Sequence, residues 1–417
     1  MKKSGWKLLG MALILTLAFS PAWAAEVIKV GAINDMTGGT CDVGKDYALG
    51  IAEAIAYVND AGGVNGKKIK LFQFDYGYRI PEAVTIYKRL RDYDKVIAVL
   101  GWGTGDTEAL SPTVTKDKMP YVSASYSAHL TDPKKTPYNL FFSCDYSTNA
   151  RGCITAWYEE IWLKDPKYKA RRQRGDKPRF VCFYSWPTPY SSAPIKAIKD
   201  QAKILGFEIG PDQDVSLTAL DTKSQVLAAK KFKPDLVWHG NTTMSVATAL
   251  KDSYALGLGA WHISNNWGFD KNLVKLAGPA AENAIGAVPC AFFGEKGPRF
   301  MPKIVEYAKK LNPGIPEKDR LIRTVQAWGD VLLLWEAMKR ADKAGKLTGE
   351  GIKEAFETLR NFDLGIGAPP VTFTPTDHRP TSIAQMYIIK NGKFKFLKRI
   401  DFKKRYPEKW EKEWLGW

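Results

Sequence analysis

Residues 27–66 read VIKVGAINDMTGGTCDVGKDYALGIAEAIAYVNDAGGVNG and contain the first strand–helix unit of the chain. The β-branched run at 27–33 predicts a strand, and the apolar residues between Tyr47 and Val58 recur at helical spacing. Residues 59–66 are rich in Asn, Asp and Gly and predict a turn, after which residues 69–74 alternate as a second strand. A strand, a helix and another strand in this order form a βαβ unit with parallel strands.

The same alternation continues along most of the chain. Further strands are predicted at 95–100, 120–124, 179–184, 207–217 and 235–239. Helices are predicted at 81–91, 106–119, 193–205, 222–232, 243–256 and 320–341. A hairpin that turns at Asn391-Gly392 is predicted at 384–401. Two blocks of alternating elements, joined near residues 140–150, predict an α/β fold made of two doubly wound βαβ lobes.

The first 24 residues carry the pattern of a cleavable signal peptide. Lys2, Lys3 and Lys7 precede an apolar run at 8–19, and small residues at Ala22 and Ala24 provide a cleavage site. No later stretch has 18 uncharged apolar residues. We therefore expect export of residues 25–417 to the periplasm.

The composition is that of a globular protein with an excess of positive charge. The chain has 417 residues, 45% of them hydrophobic, and a formal net charge of +17. Because the basic residues are dispersed, apart from 169–174 and the C-terminal tail, we interpret this charge as solvated surface and expect no nucleic-acid partner.

The motifs of enzymes and metal sites are not met. Residues 39–46 imitate a phosphate-binding P-loop, but Asp46 stands where a Ser or Thr would hold Mg²⁺. The four His have neither i,i+4 spacing nor an H-E-x-x-H pattern, and there is no G-x-S-x-G elbow. The Gly-rich loop 101–105 precedes a helix and offers backbone N–H groups to an anion. We expect neither an enzyme nor a cofactor or metal site.

Several motifs resemble the leucine/isoleucine/valine-binding family of ABC-transporter receptors, the type I periplasmic solute-binding proteins. The segments that carry the resemblance are the first strand and Thr-Gly loop at 28–38, the turn AGGVNG at 61–66, the loops at 99–112 and 120–133, and lobe 2 segments at 235–240 and 276–283.

The resemblance implies two lobes that are joined by three hinge crossovers and close on a small molecule. Lobe 1 would comprise 25–144 and 290–367, and lobe 2 would comprise 145–289 and 368–417. It further implies a monomeric receptor that delivers its ligand to an inner-membrane ABC permease. A soluble receptor that feeds a sensor is the alternative.

The family's binding residues map onto loops of both predicted lobes. In the family a ligand carboxylate is held by lobe 1, and the matching positions here are Gly105, Ser125 and Ser127, with Tyr126 as the alternative to Ser127. The aromatic residue that covers the ligand matches Tyr190, and the next contact falls at Asn241 or Thr242. Trp102, Trp186 and Trp267 add aromatic surface to the cleft loops.

One position departs from the pattern of the family's amino-acid receptors. Their acidic residue for the ligand ammonium corresponds here to Asn266, a neutral amide that compensates a buried ammonium poorly. Two ligand classes remain: an apolar or aromatic carboxylate without an α-amino group, or a branched-chain-type amino acid whose ammonium meets Asp106, Asp270 or an aromatic face. Amides are a further alternative.

Two local features complete the expectations. Cys144 and Cys153 either pair across the first crossover or remain separate thiols. In the tail, Trp410, Trp414 and Trp417 follow helical spacing, which predicts that the tail packs on lobe 2. The alternative is a segment that docks on the permease.

Overall fold

The computed structural model describes residues 27–417, so the predicted signal peptide at 1–24 lies outside the described residues. These residues form two β-sheets flanked by helices. The strands, in chain order, are β1 (Ile28–Asn34), β2 (Ile69–Asp75), β3 (Ala98–Gly101), β4 (Tyr121–Ser123), β5 (Asn139–Leu140), β6 (Arg179–Tyr184), β7 (Glu208–Ile209), β8 (Gln213–Asp214), β9 (Leu236–His239), β10 (Trp261–Ser264), β11 (Ile285–Ala287), β12 (Ile383–Lys390) and β13 (Lys393–Asp401).

The helices of the described residues surround both sheets. They are α1 (Cys41–Asp60), α2 (Ile80–Arg89), α3 (Thr104–Asp117), α4 (Tyr146–Trp157), α5 (Lys169–Gln173), α6 (Pro189–Ser192), α7 (Ile195–Ile204), α8 (Lys223–Phe232), α9 (Thr243–Ala255), α10 (Lys271–Ala277), α11 (Met301–Leu311), α12 (Ile322–Lys343), α13 (Gly349–Phe356), α14 (Phe402–Arg405) and α15 (Pro407–Lys412).

Each sheet forms the centre of one lobe. Lobe 1 is built on the parallel sheet β2-β1-β3-β4-β5. Lobe 2 is built on the sheet β13-β12-β11-β10-β9-β6-β7, with β8 paired to β6, and only the β12–β13 hairpin breaks its parallel order. The predicted α/β fold with two doubly wound lobes is confirmed, and the hairpin turns at Asn391-Gly392 as predicted.

The chain passes between the lobes three times. It leaves lobe 1 after β5 and returns after β11, because α11 and α12 pack on α1. It then re-enters lobe 2 at β12. Gly50 allows α1 and α12 to approach closely, since a Cβ there would lie 2.9 Å from the Ala327 Cβ. The residue boundaries predicted for the lobes remain a prediction.

Some elements differ from the sequence-based expectation. The helix predicted at 193–205 is α7 and begins only at Ile195, because Pro194 has no N–H to continue the helical ladder from the short helix α6 before it. The strand predicted at 95–100 begins only at Ala98, since Lys95 has a left-handed φ of 58°. The strand predicted at 207–217 consists of the two short strands β7 and β8.

The C-terminal tail packs on lobe 2, which confirms that prediction. Trp410 and Trp414 are buried, and the Arg151 guanidinium lies 3.9 Å from the Trp414 ring centroid. Helix α15 ends at Lys412, so the three tail tryptophans do not share one helical face.

The cysteines and the length of the apolar helices bear on two further expectations. Within residues 27–417, Cys144 and Cys153 are separate buried thiols and not a disulfide. None of the helices described for this range is both long and apolar enough to cross a bilayer.

Candidate ligand-binding site

A small cavity lies between the two lobes. It is narrow and is lined by aromatic, hydroxyl and small side chains but by no charged one. The lining residues are Thr40, Val43, Tyr78, Trp102, Gly103, Thr104, Ala124, Tyr146, Tyr190, Thr242 and Trp267. Such a wall suits a small, largely apolar molecule with a few hydrogen-bonding groups.

The topology explains why these residues meet. In lobe 1 they follow β1, β2, β3 and β4, and in lobe 2 most of them follow β6, β9 and β10. In open α/β sheets, ligands bind outside the carboxyl ends of the parallel strands. Two sheets whose carboxyl ends face one another therefore enclose a site between them.

The lobe 1 wall is held by buried carboxylates and hydroxyls. The Asp35 carboxylate accepts hydrogen bonds from the backbone N–H of Gly38 (2.6 Å) and from the N–H and hydroxyl of Thr40. The Trp102 Nε1–H donates to the Thr40 Oγ1 at 2.8 Å. This fixes the Trp102 ring against the cavity.

The start of α3 combines a hydroxyl with a buried acid. The Thr104 and Ser125 hydroxyls are hydrogen-bonded at 2.8 Å. Asp106, which is buried in the first turn of α3, accepts a hydrogen bond from the Tyr76 hydroxyl. Burial raises the pKa of the Asp106 carboxyl to about 7, although the Tyr76 hydroxyl opposes this shift.

The lobe 2 wall presents aromatic surface held by neutral groups. The Tyr190 hydroxyl donates to the Asn265 Oδ1 at 2.8 Å, and the Trp267 Nε1–H donates to the Tyr146 hydroxyl at 2.9 Å. Thr242 brings a buried hydroxyl to the same wall, where it faces the Asp42 carboxyl of lobe 1 and lowers the pKa of that carboxyl.

The lobes touch at the rim of the cavity. The Met244 N–H, in the first turn of α9, donates to the Asp42 Oδ2 of lobe 1 at 3.0 Å. Burial raises the pKa of the Asp42 carboxyl to about 6, against the lowering effect of the Met244 hydrogen bond. The structure is therefore that of a closed cleft.

A buried arginine that sequence analysis missed also joins the lobes. Arg323, at the start of α12, pairs with Asp270 at 2.9 Å and donates to the carbonyl of Asn266 at 2.8 Å. Asp270 is thus already neutralised by a protein cation. Neither Asp270 nor any other carboxylate is among the residues that line the cavity.

The predicted site residues divide into two groups. Trp102, Tyr190 and Thr242 line the cavity, whereas the other six do not. Those six are Gly105, Ser125, Tyr126, Ser127, Asn241 and Asn266.

Ser125 is hydrogen-bonded to the lining residue Thr104, and three more of the six contact residues outside the cavity lining. Gly105 lies near Ile80 and Pro189, and the Ser127 hydroxyl donates to Glu108. The Tyr126 hydroxyl accepts from the Gln326 side chain at 3.2 Å, and its ring centroid is 5.8 Å from that of Trp267.

The two lobe 2 amides behave differently from each other. The Asn241 Oδ1 accepts hydrogen bonds from the Ser185 N–H and the Ser191 hydroxyl, and its amide N–H donates to the Val215 carbonyl. The side chain therefore holds lobe 2 loops together. The Asn266 side chain is buried and neither of its polar atoms has a hydrogen-bond partner. The roles of the predicted residues in binding stay predictions.

Several lining residues were not anticipated. Thr40, Tyr78, Thr104 and Tyr146 lie beside predicted loops, and their position after strand ends or at helix starts was the available indication. No group of three or more potential metal ligands occurs in residues 27–417.

Comparison with known proteins identifies the family. A family model described as periplasmic binding protein matches residues 27–393. The chain belongs to the periplasmic binding protein family. Members of this family are solute-binding receptors and not enzymes.

Curated relatives point to the type I, leucine/isoleucine/valine-binding branch of periplasmic binding proteins. The Leu/Ile/Val-binding protein homolog 1 of Brucella suis is 24% identical over 337 residues, which cover 80% of this chain and 83% of the relative. An amino acid binding protein of Pseudomonas aeruginosa is 36% identical over 94 residues, and this match spans only 25% of its length.

Solved structures share the whole fold of this periplasmic binding protein. An ABC transporter substrate-binding protein of Aeropyrum pernix has a TM-score of 0.81 and 32% identity, with 90% of this chain and 96% of that chain covered. A branched-chain amino acid ABC transporter structure from Thermus thermophilus with bound valine has a TM-score of 0.81 at 21% identity, covering 92% and 99%. A fatty acid ABC transporter substrate-binding protein from Thermomonospora curvata has a TM-score of 0.77 at 23% identity, covering 90% and 92%.

Proposed function

We propose that this periplasmic binding protein is the extracytoplasmic substrate-binding component of an ABC importer and captures a small carboxylate-bearing solute between its lobes. The observation that carries the proposal is the interlobe cavity with an aromatic and hydroxyl wall, at the place where the two lobes meet. Its partner is an inner-membrane ABC permease, it acts as a monomer, and its location is the periplasm.

The carboxylate assignment is supported by the start of α3. The first N–H groups of a helix have no partner inside the helix, and the helix dipole favours negative charge there. Thr104 is the first residue of α3 and lines the cavity, which supports a role of this helix start in binding an anion. Two of the similar solved structures are those of a receptor with bound valine and of a fatty acid receptor, and both kinds of ligand carry a carboxylate.

The presence or absence of an α-amino group on the ligand distinguishes the two ligand classes. An α-ammonium group that leaves water needs a carboxylate partner, and no carboxylate lines this cavity. Asp270 is paired with Arg323, Asp106 accepts the Tyr76 hydroxyl, and Asp42 accepts the Met244 N–H at the rim, so none of the three is among the lining residues. An organic or aromatic acid without an α-amino group therefore fits better than a branched-chain amino acid.

Isothermal titration with matched solutes tests the proposal. L-Leucine and 4-methylpentanoate differ only in the α-amino group, and benzoate and benzamide differ in the carboxylate. We expect 4-methylpentanoate or benzoate to bind at least about 10-fold more tightly than its partner, which is 1.4 kcal/mol. Tighter binding of leucine contradicts the ligand class, and tighter binding of benzamide supports the amide alternative.

A further inference from the structure

Two buried arginines lie three residues apart, Arg320 just before α12 and Arg323 in its first turn, and they contact different lobes. Arg320 pairs with Glu53 at 2.6 Å and with Asp46 at 2.9 Å, and both acids belong to α1 of lobe 1. Arg323 extends instead to the segment after β10 in lobe 2. Arg320 therefore binds the start of α12 to lobe 1, and Arg323 binds α12 to lobe 2.

Arg323 donates hydrogen bonds to the backbone of the cavity wall. One of its terminal amino groups donates to the Asn266 carbonyl at 2.8 Å, and the other donates to the Trp267 carbonyl at 3.2 Å and to the Asp270 Oδ2 at 2.9 Å. The guanidinium also lies 5.0 Å from the Trp267 ring centroid. A planar fork with several donors is the geometry that arginine offers and lysine lacks.

The 266–270 segment, which Arg323 contacts, carries the aromatic ring that completes the cavity wall. Trp267 belongs to lobe 2, yet its ring centroid is 4.9 Å from that of Trp102 and 5.8 Å from that of Tyr126, both in lobe 1. These contacts exist only while the lobes are closed. The position of the backbone at 266–267 therefore decides whether the wall is complete.

We propose that Arg323 is the positioning residue for cleft closure: its fork seats the 266–270 segment on lobe 1 and thereby sets the Trp267 ring over the ligand. This inference rests on the proposed capture of a solute between hinged lobes. Arg323 and Asp270 are both buried in the closed form. Hinge opening separates α12 from the 266–270 segment. The ion pair therefore stabilises the closed form relative to the open form more than it stabilises the folded chain.

The distance between the lobes measures closure without a ligand. Spin labels at Tyr93→Cys of lobe 1 and Leu220→Cys of lobe 2 replace side chains that are 78% and 88% exposed. A Cys41→Ser background leaves only buried native thiols. Electron–electron resonance distances are recorded alone, with benzoate and with L-leucine.

We expect Arg323→Gln to shift the distance distribution toward the open form in every condition in which the parent protein is partly closed. Whichever of the two probes binds should do so about 10-fold more weakly, with the loss mainly in a faster dissociation rate. Arg323→Lys should lie between the two, because it keeps the charge and loses the fork.

Arg320→Gln is the matched control. It should lower the melting temperature and leave the distance distribution unchanged, because its ion pairs lie inside lobe 1. Should Arg323→Gln fail to fold, Asp270→Asn replaces it. The Asn272 and Leu273 N–H groups still find an acceptor in this variant, while the charge that faces Arg323 is removed.

The outcomes separate this inference from the proposed function. Equal distance distributions for the parent, Arg323→Gln and Asp270→Asn overturn the inference, even where a solute binds. A shift toward the open form with no binding of any solute supports the inference and contradicts the proposed ligand class.

Discussion

The two walls of the cavity are built on the same plan, from loops after parallel strands, but different groups hold them. In lobe 1 the loops are fastened by the carboxylates of Asp35, Asp75 and Asp106. In lobe 2 the neutral amides of Asn241 and Asn265 fasten the loops, and the one acid beside them, Asp270, is paired with Arg323. Lobe 1 therefore supports its wall with an unpaired buried acid, Asp106, whereas lobe 2 uses amides and a neutralised ion pair.

The largest expected effect concerns the amide that supports the lobe 2 wall. Asn241→Leu leaves the Ser185 N–H, the Ser191 hydroxyl and the Val215 carbonyl without their partner in a buried place. Each unsatisfied buried group costs about 1–3 kcal/mol, so we expect a loss of about 4 kcal/mol in the free energy of unfolding. Urea unfolding measures this loss.

The result also separates a supporting role of Asn241 from a ligand contact. If Asn241→Leu keeps the stability of the parent protein but no longer binds solute, the residue is a ligand contact and the comparison of the two walls fails.

The next effect concerns the aromatic surface of lobe 2. Trp267→Ala removes a ring that packs on Trp102 across the cavity. Loss of a well-packed aromatic anchor costs about 2–3 kcal/mol of binding energy, so we expect binding of the probe solute to weaken about 30- to 150-fold by calorimetry. Trp186→Ala, on a ring that is 52% exposed, is the control and should leave affinity within about 2-fold.

Sequence patterns predict the fold and part of the candidate site, and the reason is that these features depend on local sequence. Strand and helix periodicity is local, so the βαβ order was readable over residues 27–100. Trp102 stood in a Gly-rich loop directly after a strand, and it lines the cavity. Local pattern shows where a loop lies but not which way its side chain points.

The rest of the site depends on contacts between distant parts of the chain. Asn241 had the polarity of a ligand contact, yet its side chain is fully engaged inside lobe 2. Arg323 lies 53 residues from Asp270, and no spacing rule links a helix of one lobe to a loop of the other. Only the closed arrangement of the lobes brings these two residues together.

The smallest expected effect tests whether the lobes respond to acid in opposite directions. Asp106 has a folded pKa of about 7, above its ordinary value of 3.8, because it is buried. Between these values the folded chain holds a proton that the unfolded chain has lost, so this group raises stability as the pH falls from 7 toward 4.

In lobe 2 the opposite holds for a buried histidine pair. The His262 Nδ1 lies 2.9 Å from the His239 Nε2, and burial lowers the pKa of His262 from 6.5 to about 4. Between these values only the unfolded chain binds the proton, so this group lowers stability as the pH falls from 6.5 to 4.

Paired variants separate the two contributions, which partly cancel in the parent protein. Urea unfolding at pH 7.5 and 4.5 should show that Asp106→Asn loses the acid-side gain and His262→Gln loses the acid-side penalty. Relative to the parent, in which only a small net change remains, the two variants should shift in opposite directions by about 3 kcal/mol each, since one pKa unit is worth 1.36 kcal/mol. The same pH slope in all three proteins contradicts the contrast, because it means that neither group keeps its shifted pKa in the folded chain.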